Sequence, residues 1–67
     1  MAENDALRRT ELKMQLQFFQ EQEHRLHEVL NTSNVPEIRE QANADLKRTV
    51  EQIGSVVTEL NELDEAR

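Results

Sequence analysis

Apolar residues recur along both halves of the chain with the spacing of a coiled coil. In the first half they are spaced four, three, seven and four residues apart, at Leu12, Leu16, Phe19, Leu26 and Leu30. At about 100° per residue these positions form one stripe on a helix. The second half carries a stripe at Ala42, Leu46, Val50, Ile53, Val57 and Leu60, widened by Ile38, Thr49, Val56 and Leu63. The pattern predicts two long amphipathic helices.

One cluster of turn-forming residues, at 31–34, separates the two stripes. Asn34 and Glu37 have the spacing of a capping box, and Pro36 suits the first turn of a helix because it lacks an amide proton. We therefore predict one domain, 1–67, with helix one at about 5–30 and helix two at about 35–66. Asn4 is the expected N-cap of helix one.

A short connection between consecutive long helices places them antiparallel. If the turn sets the register, positions whose numbers sum to about 68 face each other, so Leu26 meets Ala42. The charges agree, since Arg8, Arg9 and Lys13 fall beside the acidic residues 59–65 and Glu28 falls beside Arg39. The predicted fold is all-α, an antiparallel coiled-coil hairpin. Its expected core is Leu12, Leu16, Phe19, Leu26, Leu30, Leu46, Val50, Ile53, Val57 and Leu60.

A second set of apolar residues does not fit this pairing. Leu7, Met14, Phe18 and Val29 lie roughly 120° to 160° around helix one from its main stripe, where helix two cannot cover them. Together with Arg25 they are our candidate partner-binding residues. Three explanations remain open, namely a second copy forming a homodimer or four-helix bundle, docking of a different protein, and scattered surface hydrophobics.

Composition argues against catalysis and against several kinds of ligand. The chain has 67 residues, no cysteine, two phenylalanines, no tryptophan or tyrosine, and a formal net charge of −6. So small a chain cannot easily build a buried catalytic pocket, and we expect no catalytic residues, no cofactor and no metal site. His24 and His27 lack the further ligands of a zinc site and are expected on a solvated flank.

The same charge opposes phosphate backbones, so we do not expect nucleic acid as a partner. No apolar run approaches the roughly 20 residues of a membrane span, and the start of the chain lacks the apolar core of a signal peptide. We therefore expect no membrane insertion and a cytoplasmic or otherwise intracellular protein.

The layout resembles the homology-region-one repeat, or Rho effector motif. The resemblance runs through LRRTELKMQLQFFQEQEHRLHEVL, the turn NTSNVPE, and IREQANADLKRTVEQIGSVVTELNELDEA, about 60 of the 67 residues. It implies an antiparallel coiled-coil finger that binds the nucleotide-loaded form of a Rho-type small GTPase without catalysis of its own. The expected function is thus a protein-interaction module. The alternatives are a structural oligomerisation subunit of a scaffold, a small helical co-chaperone, and an acidic mimic of nucleic acid.

Overall fold

Two helices of nearly equal length account for most of the chain. The computed structural model describes residues 2–65, and the side chains of residues 4–65. Helix α1 spans Ala2–Thr32 and helix α2 spans Pro36–Glu65. They pack against each other as a hairpin with principal extents of 51 × 14 × 12 Å, and residues 2–65 contain no strand. The predicted all-α helical hairpin is confirmed.

The helix ends differ from the prediction by a few residues. Helix α1 begins before Asn4, so Asn4 lies inside the helix and is not its N-cap. At the other end α1 continues to Thr32, whose hydroxyl donates to the Glu28 carbonyl oxygen at 2.8 Å. Helix α2 ends at Glu65. We predicted an end at about residue 66, which lies outside the described residues.

The connection consists of residues 33–35. The Val35 N–H donates to the Ser33 hydroxyl at 3.3 Å, and the Val35 carbonyl accepts the first helical bond of α2, from the Arg39 N–H at 3.0 Å. Val35 is therefore the N-cap residue, and the prediction that Asn34 holds this position is wrong. Pro36 occupies the first helical position, where a missing amide proton removes no helical bond.

Arg39 ties the end of α1 to the start of α2. Its guanidinium donates to the carbonyl oxygen of Leu30 and, at 3.2 Å, to that of Ser33. Carbonyls at the end of a helix have no partner within the helix, so a cation placed there satisfies them and also offsets the negative end of the helix dipole. This interaction replaces the Glu28 pairing that we expected for Arg39.

The residues of α1 that face α2 form a strict heptad seam. Leu12 is fully buried, and residues on either side of it are partly covered at spacings of three and four. The seam of α1 consists of Arg9, Leu12, Leu16, Phe19, Glu23, Leu26 and Leu30. Two of these seven residues are charged, which limits the apolar area that the pairing buries.

The seam of α2 differs from the predicted one at two positions. Its covered residues are spaced alternately four and three, at Ala42, Leu46, Thr49, Ile53, Val56, Leu60 and Leu63. Thr49 is 1% exposed, whereas Val50, which we placed in the core, is 48% exposed. Val57 is likewise exposed while its neighbour Val56 is buried. The assignment of Val50 and Val57 to the core is wrong.

The error has a local physical cause. Valine is more apolar than threonine, so periodicity weighted by hydrophobicity favours Val50 over Thr49. In the structure the Thr49 hydroxyl donates to the Asp45 carbonyl oxygen at 2.8 Å, which satisfies its donor inside the helix and permits burial. Packing then follows the heptad spacing, which a stripe through Val50 and Val57 would interrupt.

A candidate docking surface on the outer side of α1

The outer side of α1 carries three large apolar side chains that α2 does not cover. Leu7, Met14 and Phe18 are 64%, 67% and 62% exposed. They lie seven and four residues apart, so they follow one another along a single side of the helix. We call this set, with Arg25 and Val29, the outer stripe. Leu7, Met14 and Phe18 provide hydrophobic area that the hairpin leaves in contact with solvent.

The adjacent residues Phe18 and Phe19 place their rings on two different faces of α1. Successive residues on a helix point about 100° apart, so Phe19 enters the seam while Phe18 points outward. Their ring centroids are 5.7 Å apart with an interplanar angle of 70°, an edge-to-face arrangement. This geometry is favourable for aromatic pairs, and it leaves most of the Phe18 ring exposed as an apolar surface.

Arg25 and Val29 occupy the part of the outer stripe nearest the turn. Arg25 is exposed and, with Gln17, Gln20, Glu21 and His24, lines a shallow polar depression. Val29 is partly buried, so our expectation that the hairpin leaves it uncovered was wrong. It is partly covered because it sits at the edge of the seam, one residue before Leu30.

Val29 forms one wall of an apolar groove between the two helices. The other apolar walls are Leu26, Ile38 and Ala42, and Glu37, Gln41 and Asp45 complete the lining. Ile38 is 47% exposed although it lines this groove, so the groove is open to solvent on its side. The sequence contained a signal for this groove, since Ile38 is a large apolar residue at the widened edge of the second stripe.

Val50 and Val57 form a separate apolar patch on α2. Both are exposed, and they are seven residues apart. Each comes directly after a seam residue in the sequence, Thr49 or Val56. Val29 on α1 instead comes directly before a seam residue. In an antiparallel pair, residues that follow the seam on one helix and residues that precede it on the other lie on opposite sides of the hairpin. The Val50 patch is therefore well separated from Val29.

Ion pairs join the beginning of α1 to the end of α2. An Arg8 guanidinium nitrogen lies 2.7 Å from the Glu59 carboxylate, and an Arg9 nitrogen lies 2.9 Å from the Asp64 carboxylate. Glu59, and more weakly Glu11 at 3.5 Å, raise the pKa of Arg8. These contacts fix the antiparallel register close to the predicted one. They occupy Arg8 and Arg9, two of the three residues of the basic cluster that could otherwise bind phosphate.

The histidines provide little for metal binding. His24 Nε2 lies 3.1 Å from Glu28 Oε1 across one helical turn, and both side chains are exposed. Among residues 4–65 no three side chains of His, Cys, Asp or Glu come together in an arrangement that could hold a metal ion. What this surface offers is an apolar stripe bordered by charges, which is suited to contact with another polypeptide.

The two described helices also differ from membrane-spanning ones, since neither contains a stretch long and apolar enough to cross a bilayer. We compared the chain with protein-family models, with curated proteins and with solved structures, and found no match in any of the three.

Proposed function

We propose that this hairpin is a non-catalytic protein-interaction module that docks a helix of a partner protein against the outer stripe of α1. The observation that carries the proposal is the joint exposure of Leu7, Met14 and Phe18 on one side of one helix. A helix with an exposed heptad-spaced apolar stripe is a suitable surface for a second helix, whose apolar residues at similar spacing pack against the stripe.

The hairpin is a rigid support for such a stripe. Its second helix holds α1 through a continuous seam and through ion pairs at the end remote from the turn. A partner would thus meet a preformed helix and lose little free energy in ordering it. Aromatic and methionine side chains suit this role, since Phe18 offers a large rigid contact and Met14 adapts to the shape of its neighbour.

The first partner to test is a Rho-type small GTPase in its GTP-loaded form, the partner implied by the resemblance of the sequence to the homology-region-one repeat. The experiment is a calorimetric titration of the intact chain with the GTP-loaded and GDP-loaded forms. We expect binding to the GTP-loaded form and its loss in the Phe18→Glu variant, which places a charge in the centre of the outer stripe.

Val50→Glu is the matched control, because it makes the same kind of change at an exposed apolar residue on the opposite side of the hairpin. It should bind as the unmodified chain does, and circular dichroism should show that both variants keep their helices. Equal loss of binding in both variants would contradict docking at the outer stripe. Absence of binding to either nucleotide form would exclude this class of partner.

A structural role is the second candidate function, in which the same surface joins copies of the chain within a scaffold. The observation that favours it is the arrangement of charges on either side of Phe18, with Glu11 toward the start of α1 and Arg25 toward its end.

A further inference from the structure

We infer that the outer stripe of α1 binds a second copy of this chain, antiparallel, about a two-fold axis that passes beside Phe18. The inference rests on the proposed function, because it names the occupant of the same docking surface. It adds a register, a set of facing residues and a role for the groove near the turn.

The spacing of residues on this side of α1 is symmetric about Phe18. The outer stripe together with Glu11 and Gln22 comprises Leu7, Glu11, Met14, Phe18, Gln22, Arg25 and Val29, with spacings of four, three, four, four, three and four. All seven lie within about 40° of Phe18 around the helix. A two-fold interface requires each contact to occur twice, so a stripe that is symmetric along the helix can face itself without a shift.

The chemistry of the facing residues is complementary in this register. Phe18 meets Phe18 of the second copy at the axis. Leu7 faces Val29, which pairs apolar with apolar, and Glu11 faces Arg25, which pairs opposite charges. Met14 faces Gln22, where the stems of both side chains provide apolar contact. A parallel arrangement would instead place Glu11 against Glu11 and Arg25 against Arg25, so the charges select the antiparallel one.

Both charged groups are available for such a contact. The Glu11 side chain is 62% exposed, and its contact with Arg8 is long, at 3.5 Å. Arg8 keeps its much shorter bond to Glu59 if Glu11 turns away. Arg25 is exposed, and among the ion pairs of residues 4–65 none involves it.

The groove near the turn supplies an independent feature that fits this register. Leu7 of the second copy would arrive beside Val29, which is a wall of the groove lined by Leu26, Ile38 and Ala42. The groove lies between α1 and α2 and is lined mainly by apolar side chains, so a leucine that enters it would bury apolar area against both helices. The pairing thus gives a partner to two features that the hairpin leaves open, the exposed Leu7 and the apolar groove, and it does so at both ends of the dimer.

The interface is of modest size. From Leu7 to Val29 the stripe extends about 33 Å along the helix, and a contact one helix wide lies at the lower end of specific interfaces. The net charge of −6 on each chain further opposes association, although salt at about 0.1 M screens charges beyond about 10 Å. We therefore expect a reversible dimer with a dissociation constant in the micromolar range.

Charge exchange across the interface tests the register. In sedimentation experiments over micromolar concentrations, Glu11→Arg and Arg25→Glu should each weaken dimerisation by about tenfold, because each creates two like-charge contacts. The double variant Glu11→Arg/Arg25→Glu restores both contacts and should return to within about threefold of the unmodified chain. Glu51→Arg, an equal change of charge at an exposed position of α2 remote from both seams, should not weaken dimerisation.

Cysteine cross-linking tests the orientation, and the absence of native cysteines makes it specific. A mixture of Leu7→Cys and Val29→Cys chains should form intermolecular disulfides under mild oxidation, while Leu7→Cys alone should not. A parallel dimer would give the reverse result and would overturn the inference. So would a chain that stays monomeric at every concentration, or a dimer that neither charge variant weakens.

These outcomes separate the inference from the proposed function. If the chain is monomeric but Phe18→Glu removes binding of a GTP-loaded Rho-type GTPase, self-pairing is wrong and the docking surface stands. If Phe18→Glu, with its helices intact, changes neither dimerisation nor GTPase binding, both are wrong. If Phe18→Glu abolishes dimerisation and the Glu11→Arg/Arg25→Glu chain dimerises as the unmodified chain does, self-pairing is supported, and the calorimetric titration with the GTPase decides the proposed function separately.

Discussion

Replacing Val56 or Val57 by alanine compares two adjacent, chemically identical residues that the structure places in different environments. Val56 is 6% exposed and lies in the seam of α2, whereas Val57 is 38% exposed on its flank. Neither residue is on α1, so neither change alters the outer stripe. Because the side chain removed is the same in both variants, the difference in their stability measures the effect of burial in the seam.

The expected costs follow from burial and helix propensity. Removing the two methyl groups of a fully buried valine costs about 1.6 kcal/mol in transfer free energy, and the cavity left behind adds to this. Alanine recovers about 0.5 kcal/mol because it is the better helix former. We expect a net loss of about 1.5–2 kcal/mol for Val56→Ala and about 0.5 kcal/mol for Val57→Ala.

Urea unfolding followed by far-UV circular dichroism measures this difference. With a denaturant dependence of about 1 kcal/mol per molar, as in small proteins, the midpoint should fall by about 1.5–2 M for Val56→Ala and by about 0.5 M for Val57→Ala. All samples need one protein concentration, because self-association would couple to stability. If Val57→Ala costs as much as Val56→Ala or more, the seam assignment of α2 is wrong.

Three further changes test local features of the hairpin in the same assay. Thr49→Val should stabilise the fold by about 0.5–1 kcal/mol, because a methyl group replaces a buried hydroxyl whose only bond is to the Asp45 carbonyl of its own helix. Gly54→Ala should stabilise it by up to about 1 kcal/mol, because Gly54 has no positive φ and an added Cβ would meet nothing within 4 Å. Arg39→Ala should cost about 1 kcal/mol, because the Leu30 carbonyl loses its guanidinium donor; an unchanged midpoint in this variant would contradict a capping role.

The sequence contained most of the information needed for the fold. Apolar spacing and a single break at 31–34 predicted two helices, and the shortness of that break predicted their antiparallel pairing. The register followed from the turn and from charge, and the contacts of Arg8 with Glu59 and of Arg9 with Asp64 agree with it. These features could be predicted because they depend on positions along the chain and not on side-chain geometry.

The composition of the α2 seam could not be predicted, because it depends on a competition between apolar character and heptad spacing. Thr49 is buried only because its hydroxyl bonds within its own helix, a contact that sequence periodicity does not reveal. The ends of the helices were missed for a similar reason. Which of Ser33, Asn34 and Val35 is the N-cap of the second helix depends on backbone geometry within a three-residue connection.

The candidate docking surface was partly predictable. Periodicity alone placed Leu7, Met14 and Phe18 outside the seam, and all three are exposed. Val29 was misjudged because it lies at the edge of the seam, one residue before Leu30, where it also lines the groove beside Ile38. The palindromic spacing about Phe18 is present in the sequence, but it acquires meaning only when the opposite side of the helix is known to be occupied by α2.

The most direct test of the account is the sedimentation behaviour of Phe18→Glu beside that of Val50→Glu. Both variants exchange an exposed apolar side chain for a carboxylate, one on the outer stripe and one on the opposite side of the hairpin. The account predicts that Phe18→Glu remains a helical monomer at concentrations where the Val50→Glu chain and the unmodified chain dimerise. Loss of the dimer in Val50→Glu, with the dimer of Phe18→Glu intact, would contradict it.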